Sequence, residues 1–509
     1  MVVAEDTNRF AKKHDLVHLA ILLAVALGIG MYLIATTVLI CKDGVFYIEQ
    51  AQKLSSDPIG IIKSHPSGYP FLIFMAHKFV TLFSNSLSLH TWIYPAQSIT
   101  LLCRLVALIP LYFTGKLLIG SKKSFWAILI LVILPHPARF GSDVLRAWPH
   151  ILFLATGFLF LLWGVKQGKW WMFGATGLAA GLGHIIRHEC AQLVIYGVLW
   201  LLIRLLLPKR NMNRPKLVCA LFILLIGFAI PTLPYVKARG AILPENLKEF
   251  INPFYQSQSD RIQERDINSH NYTTTTLPSD IVKAFGTLIE GISENLMYFF
   301  MPALLIGIYS RFRKQSAAAD IERFFVPAFV TFNIIMLTIL HYNFGFISRR
   351  HCLPLVVLTI FYIPVGLQVI GDWLERSLST AKDKNNAPVE KQQLWFLVLV
   401  IAGSCICLPK LFTPMRTKKQ SYWDTAQWLA KNTDKNVLIA VPDPRISFYS
   451  GRKGIEYSGQ TVPKDTQYIV KIFKNEEDIP AGKEILQVKK LIEGNGKKPE
   501  VIVIYRHIH

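Results

Sequence analysis

The sequence predicts an all-α polytopic membrane protein with about eleven spanning helices, followed by a small α/β soluble domain. Three observations lead there. Only 17% of the 509 residues are charged and 52% are hydrophobic, whereas soluble domains carry about 25% charged residues. The apolar residues gather in runs of roughly 18–25, the length a bilayer core demands of a helix. Lys and Arg collect in alternate connecting segments, as they do in cytoplasmic loops.

The first run, 17–40, has no small-residue cleavage site after it and reads as a retained helix rather than a signal peptide. Further spans are predicted over 91–115, 125–138, 148–165, 170–186, 191–207, 217–236, 292–310, 325–342, 352–371 and 393–412. The third and fifth are short and need flanking residues to complete them. Arg9, Lys12 and Lys13 precede the first span. Lys116, Lys122 and Lys123, then Lys166 and Lys169, then the run 204–216, then Arg311, Arg313 and Lys314, and finally the loop 372–393, all fall on that same side. This alternation puts the N-terminus in the cytoplasm and the tail outside a bacterial cytoplasmic (inner) membrane. Residues 1–413 form the expected membrane domain and 414–509 the extracytoplasmic one.

Two segments on the outer side are long. Residues 41–90 contain "DGVFYIEQAQKL" and "GYPFLIFMAHKFVTLF", apolar but interrupted by charge, which fits helices lying in the interface plane. Residues 238–291 are polar, then amphipathic near "IVKAFGTLIEGI", and include the sequon "NYT" at 271–273. In the tail, "YWDTAQWLAKN" has helical spacing, and "NVLIAVP" and "EVIVIYR" read as strands. The seven cysteines form no CxxC pair, so neither a zinc site nor a disulfide framework is signalled. Lys plus Arg is 55 against 33 for Asp plus Glu, a net charge of +22. The excess belongs to cytoplasmic loops, and no nucleic-acid partner is expected.

Charge at membrane depth costs roughly 2.5–3.5 kcal/mol per central residue on insertion scales, so the charges kept there need a reason. On the predicted topology they gather at the outer ends of spans. Asp43 and Tyr47 are four apart and share a helix face; the aspartate is a general base or an ordinary N-cap. His65 lies in "HPSGYP", a turn or a snorkelling interfacial histidine. Asp143 and Arg146, three apart in "GSDVLRAWPH", serve a site or pair with one another. Arg187 and Glu189 lie in "HIIRHEC", and Arg349, Arg350 and His351 in "SRRHCLP". Arginine's fork suits phosphate, so these arginines bind a lipid phosphate in a substrate or snorkel to bulk headgroups.

In this order, "KDGVFYIEQAQ", "HPSGYPFLIFMAHK", "SDVLRAWPHILFLATGFLFLLWG" and "SRRHCLPLVVL" make the chain resemble the GT-C glycosyltransferases over about residues 15–410. More narrowly, it is similar to bacterial relatives of protein O-mannosyltransferases and lipid A aminoarabinose transferases. The resemblance implies a GT-C fold and catalytic roles for Asp43, as base or acceptor ligand, and for Asp143. It implies that His65 lies near the donor phosphate, that Arg349 or Arg350 is the arginine of an "R-aromatic-x-L-P" string with His351 in the aromatic place, and that Arg187 and Glu189 belong to an "R-P-E" string with His for Pro. Tyr47 and Arg146 join these as candidate substrate-binding residues. The implied reaction is inverting sugar transfer from a polyprenyl-phosphate donor to a lipid, glycan or protein acceptor, with membrane lipids as surroundings. No cofactor is certain; a divalent metal is left open, since paired carboxylates with a histidine could hold one. The competing class is a transporter or lipid flippase, which would scatter these charges at the midplane.

Overall fold

The computed structural model describes residues 13–83, 89–207, 213–240, 277–313, 320–378, 389–457, 465–473, 485–490 and 501–506. Most of the segment 238–291, with its sequon, lies outside them, as do residues 379–388 of the loop 372–393.

The chain begins with α1 (Lys13–Ala35). The connection after it carries three short helices, α2 (Lys42–Lys53), α3 (Pro58–Ser64) and α4 (Gly68–Thr81), where interfacial helices are predicted. Local signals punctuate them. Asp57 accepts from the Gly60 amide at 2.9 Å and Pro58 opens the first turn of α3, the preferred chemistry of a helix start. Pro66 then separates α3 from α4.

The bundle continues through α5 (His90–Ile119), α6 (Ser121–Ile133), α7 (Pro135–Phe140), α8 (Ala147–Gln167), α9 (Trp171–Ile186), α10 (Gln192–Leu206) and α11 (Arg214–Arg239). It closes with α12 (Leu277–Asn295), α13 (Phe300–Arg313), α14 (Asp320–Phe344), α15 (Arg349–Thr359), α16 (Tyr362–Leu378) and α17 (Val389–Leu411). Among the described residues, 7 helices are long and apolar enough to cross a membrane. Two further pairs pass only together, α12 with α13 bent by 106° and α15 with α16 bent by 68°. Helices lie on all eleven predicted segments, but α6, at 13 residues, and α9, at 16, fall short of a full bilayer crossing.

The two bends share one feature. Pro302 and Pro364 are each the third residue of the helix after the break. Neither can donate the amide hydrogen that a continuous helix would send back to residue 298 or 360. At the first break Met297 and Tyr298 adopt left-handed φ of 54° and 58°. The straight span expected over 292–310 is therefore two helices. α13 and α16 cross in backbone contact: a Cβ on Gly307 would lie 1.9 Å from the Tyr362 carbonyl oxygen, and one on Gly366 1.8 Å from that of Ala303. Small residues permit such approach where lipid gives helices no hydrophobic reason to associate.

One end of the bundle carries the basic connections. Lys116 bonds Asp15 at 2.7 Å, and Arg311 bonds Glu322 at 2.9 Å and the Leu118 carbonyl at 2.8 Å. The opposite end carries the C-terminal region. This has α18 (Gln420–Asn432), β1 (Leu438–Val441), α19 (Pro444–Ser450), β2 (Lys453–Glu456), β3 (Tyr468–Phe473), β4 (Ile485–Lys490) and β5 (Val501–Arg506). The sheet order is β2-β1-β3-β5-β4; β1 runs parallel to β2 and β3, while β5 is antiparallel to β3 and β4. Its apolar side is not closed on itself. Leu39, Ile40, Val45 and Ile48 from the first connection pack in one cluster with Tyr422, Ala426, Ile439, Ile446 and Ile504.

Candidate active site

Two knots of charge meet at the sheet-bearing end, and Cys41 links them. Cys41 is the N-cap of α2: its Sγ accepts from the Gly44 amide at 3.2 Å. Its own amide donates to Asp143 Oδ1 at 3.1 Å, and its thiol donates to the Val144 carbonyl at 3.1 Å. Burial pushes the thiol well above its ordinary pKa, with the Asp143 carboxylate adding to the effect, so it stays protonated and serves structure. Asp43, one residue into α2, is therefore not the cap. That expectation fails because the sulfur already occupies the capping place.

Asp43 instead forms an ion pair with Arg350 at the start of α15, 307 residues away. Its side chain is 36% exposed and that of Arg350 33%, so the pair is open to a ligand. Tyr47, one turn along α2, is buried beside it. Arg146 stands over the Tyr47 ring with its guanidinium carbon 5.9 Å from the centroid. Burial raises the Tyr47 pKa, while the phenol feels the charges of Arg146, Asp43, Arg187 and Arg350. Arg187 pairs with Glu189, its Nε donating to Oε1 at 3.1 Å. The His351 ring lies within reach of the charges of Arg187, Arg350, Glu189 and Arg146. It also accepts from the Ser348 amide at 3.3 Å and so fixes the start of α15. His65 ends α3 with its ring 4.9 Å from that of Phe46. Burial lowers its pKa and the nearby Arg146 and Arg239 push the same way, so it stands beside the group as a neutral ring.

Asp143 stands behind this group. Its side chain is 2% exposed. It accepts from the Cys41 amide, from the Val144 amide at 2.9 Å and from Arg416, which also donates to the Leu39 carbonyl at 2.8 Å. The expected Asp143–Arg146 pairing does not occur: in the tight turn before α8 the carboxylate points to Arg416, while Arg146 turns to Tyr47. Arg349 also leaves the group. Its Nε bonds Glu294 at 3.1 Å and its Nη1 lies 3.3 Å from His136 Nε2. Neighbours on a helix point about 100° apart, so Arg349 and Arg350 face different sides of α15. Sequence reasoning missed Arg416 and Arg239. Arg416 sits in "MRTKK", which reads as a solvated basic run, and only its left-handed φ of 61° marks it.

Chemically, the exposed group offers two carboxylates, Asp43 paired with Arg350 and Glu189 paired with Arg187, with the Arg146 guanidinium beside Tyr47. This arrangement takes an anion and holds a base beside it. It does not suit a metal. Both carboxylates expected as ligands are paired with guanidinium groups, and among the described residues no group of three or more His, Cys, Asp or Glu side chains could hold an ion.

Residues 64–235 match the family described as dolichyl-phosphate-mannose-protein mannosyltransferase. That stretch holds His65, Asp143, Arg146, Arg187 and Glu189 but not Asp43 or Arg350. No curated protein matches the sequence. Among solved structures, the chain is similar to the oligosaccharyltransferase AglB from Archaeoglobus fulgidus, in complex with an inhibitory peptide and a dolichol-phosphate. The TM-score is 0.57 at 11% identity, over 91% of this chain and 69% of that one. It is also similar to ArnT from Cupriavidus metallidurans bound to undecaprenyl phosphate, with a TM-score of 0.55 at 12% identity over 95% and 97%. A further A. fulgidus oligosaccharyltransferase structure, in complex with Zn and sulfate, matches with a TM-score of 0.53 at 12% identity over 89% and 67%. Likeness at these identities is likeness of fold.

Proposed function

We propose that this chain, a multi-pass membrane protein of the GT-C superfamily by its fold, transfers a sugar from a polyprenyl-phosphate donor to a nucleophilic acceptor, inverting the anomeric carbon. The carrying observation is the contact between Asp43 and Arg350, flanked by Arg146 and Arg187. It brings a carboxylate and a guanidinium together from parts of the chain 307 residues apart, which supports a base beside a phosphate ligand. The two similar structures described with dolichol-phosphate and undecaprenyl phosphate support such a donor.

In this reading the lipid tail stays in the bilayer and the sugar phosphate enters between Asp43 and Arg350. Arg350 exchanges its carboxylate partner for the phosphate, which frees Asp43. An acceptor hydroxyl or amine attacks C1 and gives its proton to Asp43. The bond from C1 to the phosphate oxygen breaks, and its electron pair leaves on the phosphate. Arg350, Arg146 and Arg187 stabilise that charge, fixed donors being most effective where water is sparse. Tyr47 and His351 orient the ligand, Glu189 holds Arg187 in place, and Asp143 acts one step back as a positioning residue. The acceptor is a lipid, glycan or protein.

Arg350→Ala is expected to weaken binding of a polyprenyl-phosphate sugar by at least about tenfold, since a charge-assisted bond is worth roughly 1.5–3 kcal/mol. Titration of purified protein measures this, and unchanged affinity would leave Arg350 as a lipid anchor. Residues 414–509 are proposed as an extracytoplasmic domain of a bacterial inner-membrane protein, with the N-terminus cytoplasmic. Accordingly, an alkaline phosphatase fused at the C-terminus should be active and a cytoplasm-only reporter silent. The reverse pattern would invert the topology and put the site on the wrong side for a lipid-linked donor.

A further inference from the structure

The second arginine of "SRRHCLP" belongs to a separate cluster. Arg349 from α15, Arg139 from α7 and Lys410 from the last turn of α17 lie within range of one another's charges. Glu294 at the end of α12 pairs with Arg349 at 3.1 Å and is the one carboxylate whose charge reaches Lys410 among the described residues. Three cations therefore face one anion. Arg416 also approaches Arg139 but is neutralised by Asp143.

Part of this cluster has a structural use. Arg139 Nη2 donates to the carbonyls of Lys410 at 2.5 Å and Thr413 at 2.8 Å, which closes the end of α17. The rest does not. Arg139 Nε is buried and bonds nothing. The Lys410 ammonium is half-buried, with no hydrogen bond or ion pair among the described residues. Drawing like charges together at reduced exposure is unfavourable without a counter-ion, and two positive charges here lack one.

We infer that Arg139, Arg349 and Lys410 form a second anion site, distinct from the Asp43–Arg350 group, that holds the phosphate of a lipid headgroup. The four helix ends that build it belong to the sheet-bearing end of the bundle, the level at which a bilayer presents its phosphates. Lys410 offers its ammonium, Arg139 adds the charge of a guanidinium whose Nε has no partner among the described residues, and Arg349 can share its guanidinium between Glu294 and an incoming phosphate. The inference rests on the proposed reaction only for its orientation in the bilayer. A transferase so equipped holds two anionic lipids at once, one on each side of α15.

The test is native mass spectrometry of the delipidated full-length protein, titrated separately with undecaprenyl phosphate and with phosphatidylglycerol. The wild type should bind one phosphate-bearing lipid through Arg350 and a second independent of it. Lys410→Gln should weaken the second about fivefold, and Lys410→Gln with Arg349→Gln about 25-fold, as expected for successive charges near a membrane surface. Arg350→Ala should affect only the first. Lys410→Arg should retain both, whereas a loss due to misfolding would not be restored by keeping the charge. Weakening confined to phosphatidylglycerol identifies the ligand as bulk membrane lipid; weakening confined to undecaprenyl phosphate identifies a second polyprenyl chain; either outcome supports the site. Saturation at one lipid, or a double variant that binds both lipids like wild type, overturns it. If Arg350→Ala has no effect while the Lys410 variants do, the donor assignment fails and the second site stands.

Discussion

Asp43→Asn should lower sugar transfer by about 10²–10⁴-fold, the usual loss on removing a general base, with the protein still folded. The substitution preserves size and one acceptor oxygen while removing charge and basicity. A structural explanation for such a loss is weak on two counts. Cys41, not Asp43, caps α2, so no helix start is undone. The Asp43–Arg350 pair is about one-third exposed, and pairs of that kind contribute at most about 1 kcal/mol. Donor binding should survive or improve, because Arg350 no longer has to surrender a carboxylate. A large fall in kcat with little change in donor affinity is thus the expected signature. Near-normal turnover by well-folded Asp43→Asn protein would end the case for this residue as base.

Arg416→Met should destabilise the protein by about 3–5 kcal/mol, the cost of leaving one member of a buried pair without its partner. Asp143 is nearly inaccessible to water and would keep a charge with only the Cys41 and Val144 amides to hold it. Combining Arg416→Met with Asp143→Asn should recover part of the loss, since no charge then remains buried alone. The comparison is a double-mutant cycle read by denaturant unfolding in detergent. Simple additivity would mean that the two side chains are not coupled. Transfer should fall in the single variant as well, because Asp143 holds the Cys41 amide and through it the start of the helix that carries Asp43.

The spanning helices were legible because a bilayer imposes a length and apolar character that a run of residues displays directly. The short helices of 41–90 and the α/β tail were legible for similar local reasons. The breaks near 296–299 and 360–361 were not, since a proline within an apolar run is commonly tolerated in a membrane helix and the string does not reveal which prolines restart one. At the site, Asp43, Tyr47, Arg146, Arg187, Glu189, Arg350 and His351 were all marked by charge or ordered motif, and they converge. Their partners were hidden. Nothing local ties Asp43 to a residue 307 positions on, or Asp143 to Arg416 rather than to Arg146, three residues away. Cys41 escaped notice because sulfur is not among the favoured capping groups.

The apolar cluster that runs from Leu39 and Val45 to Ile439 and Ile504 makes the watery and the membranous parts of this protein share a fate. Opening of the sheet strips Val45 and Ile48 of their cover, and these residues lie on the same three turns of helix as Asp43. A protease or mild denaturant that never reaches the lipid-bound helices would therefore abolish the proposed transfer. Hydrogen exchange should find the amides of α2 released together with those of β1, as one cooperative unit, while α5 and α8 remain protected.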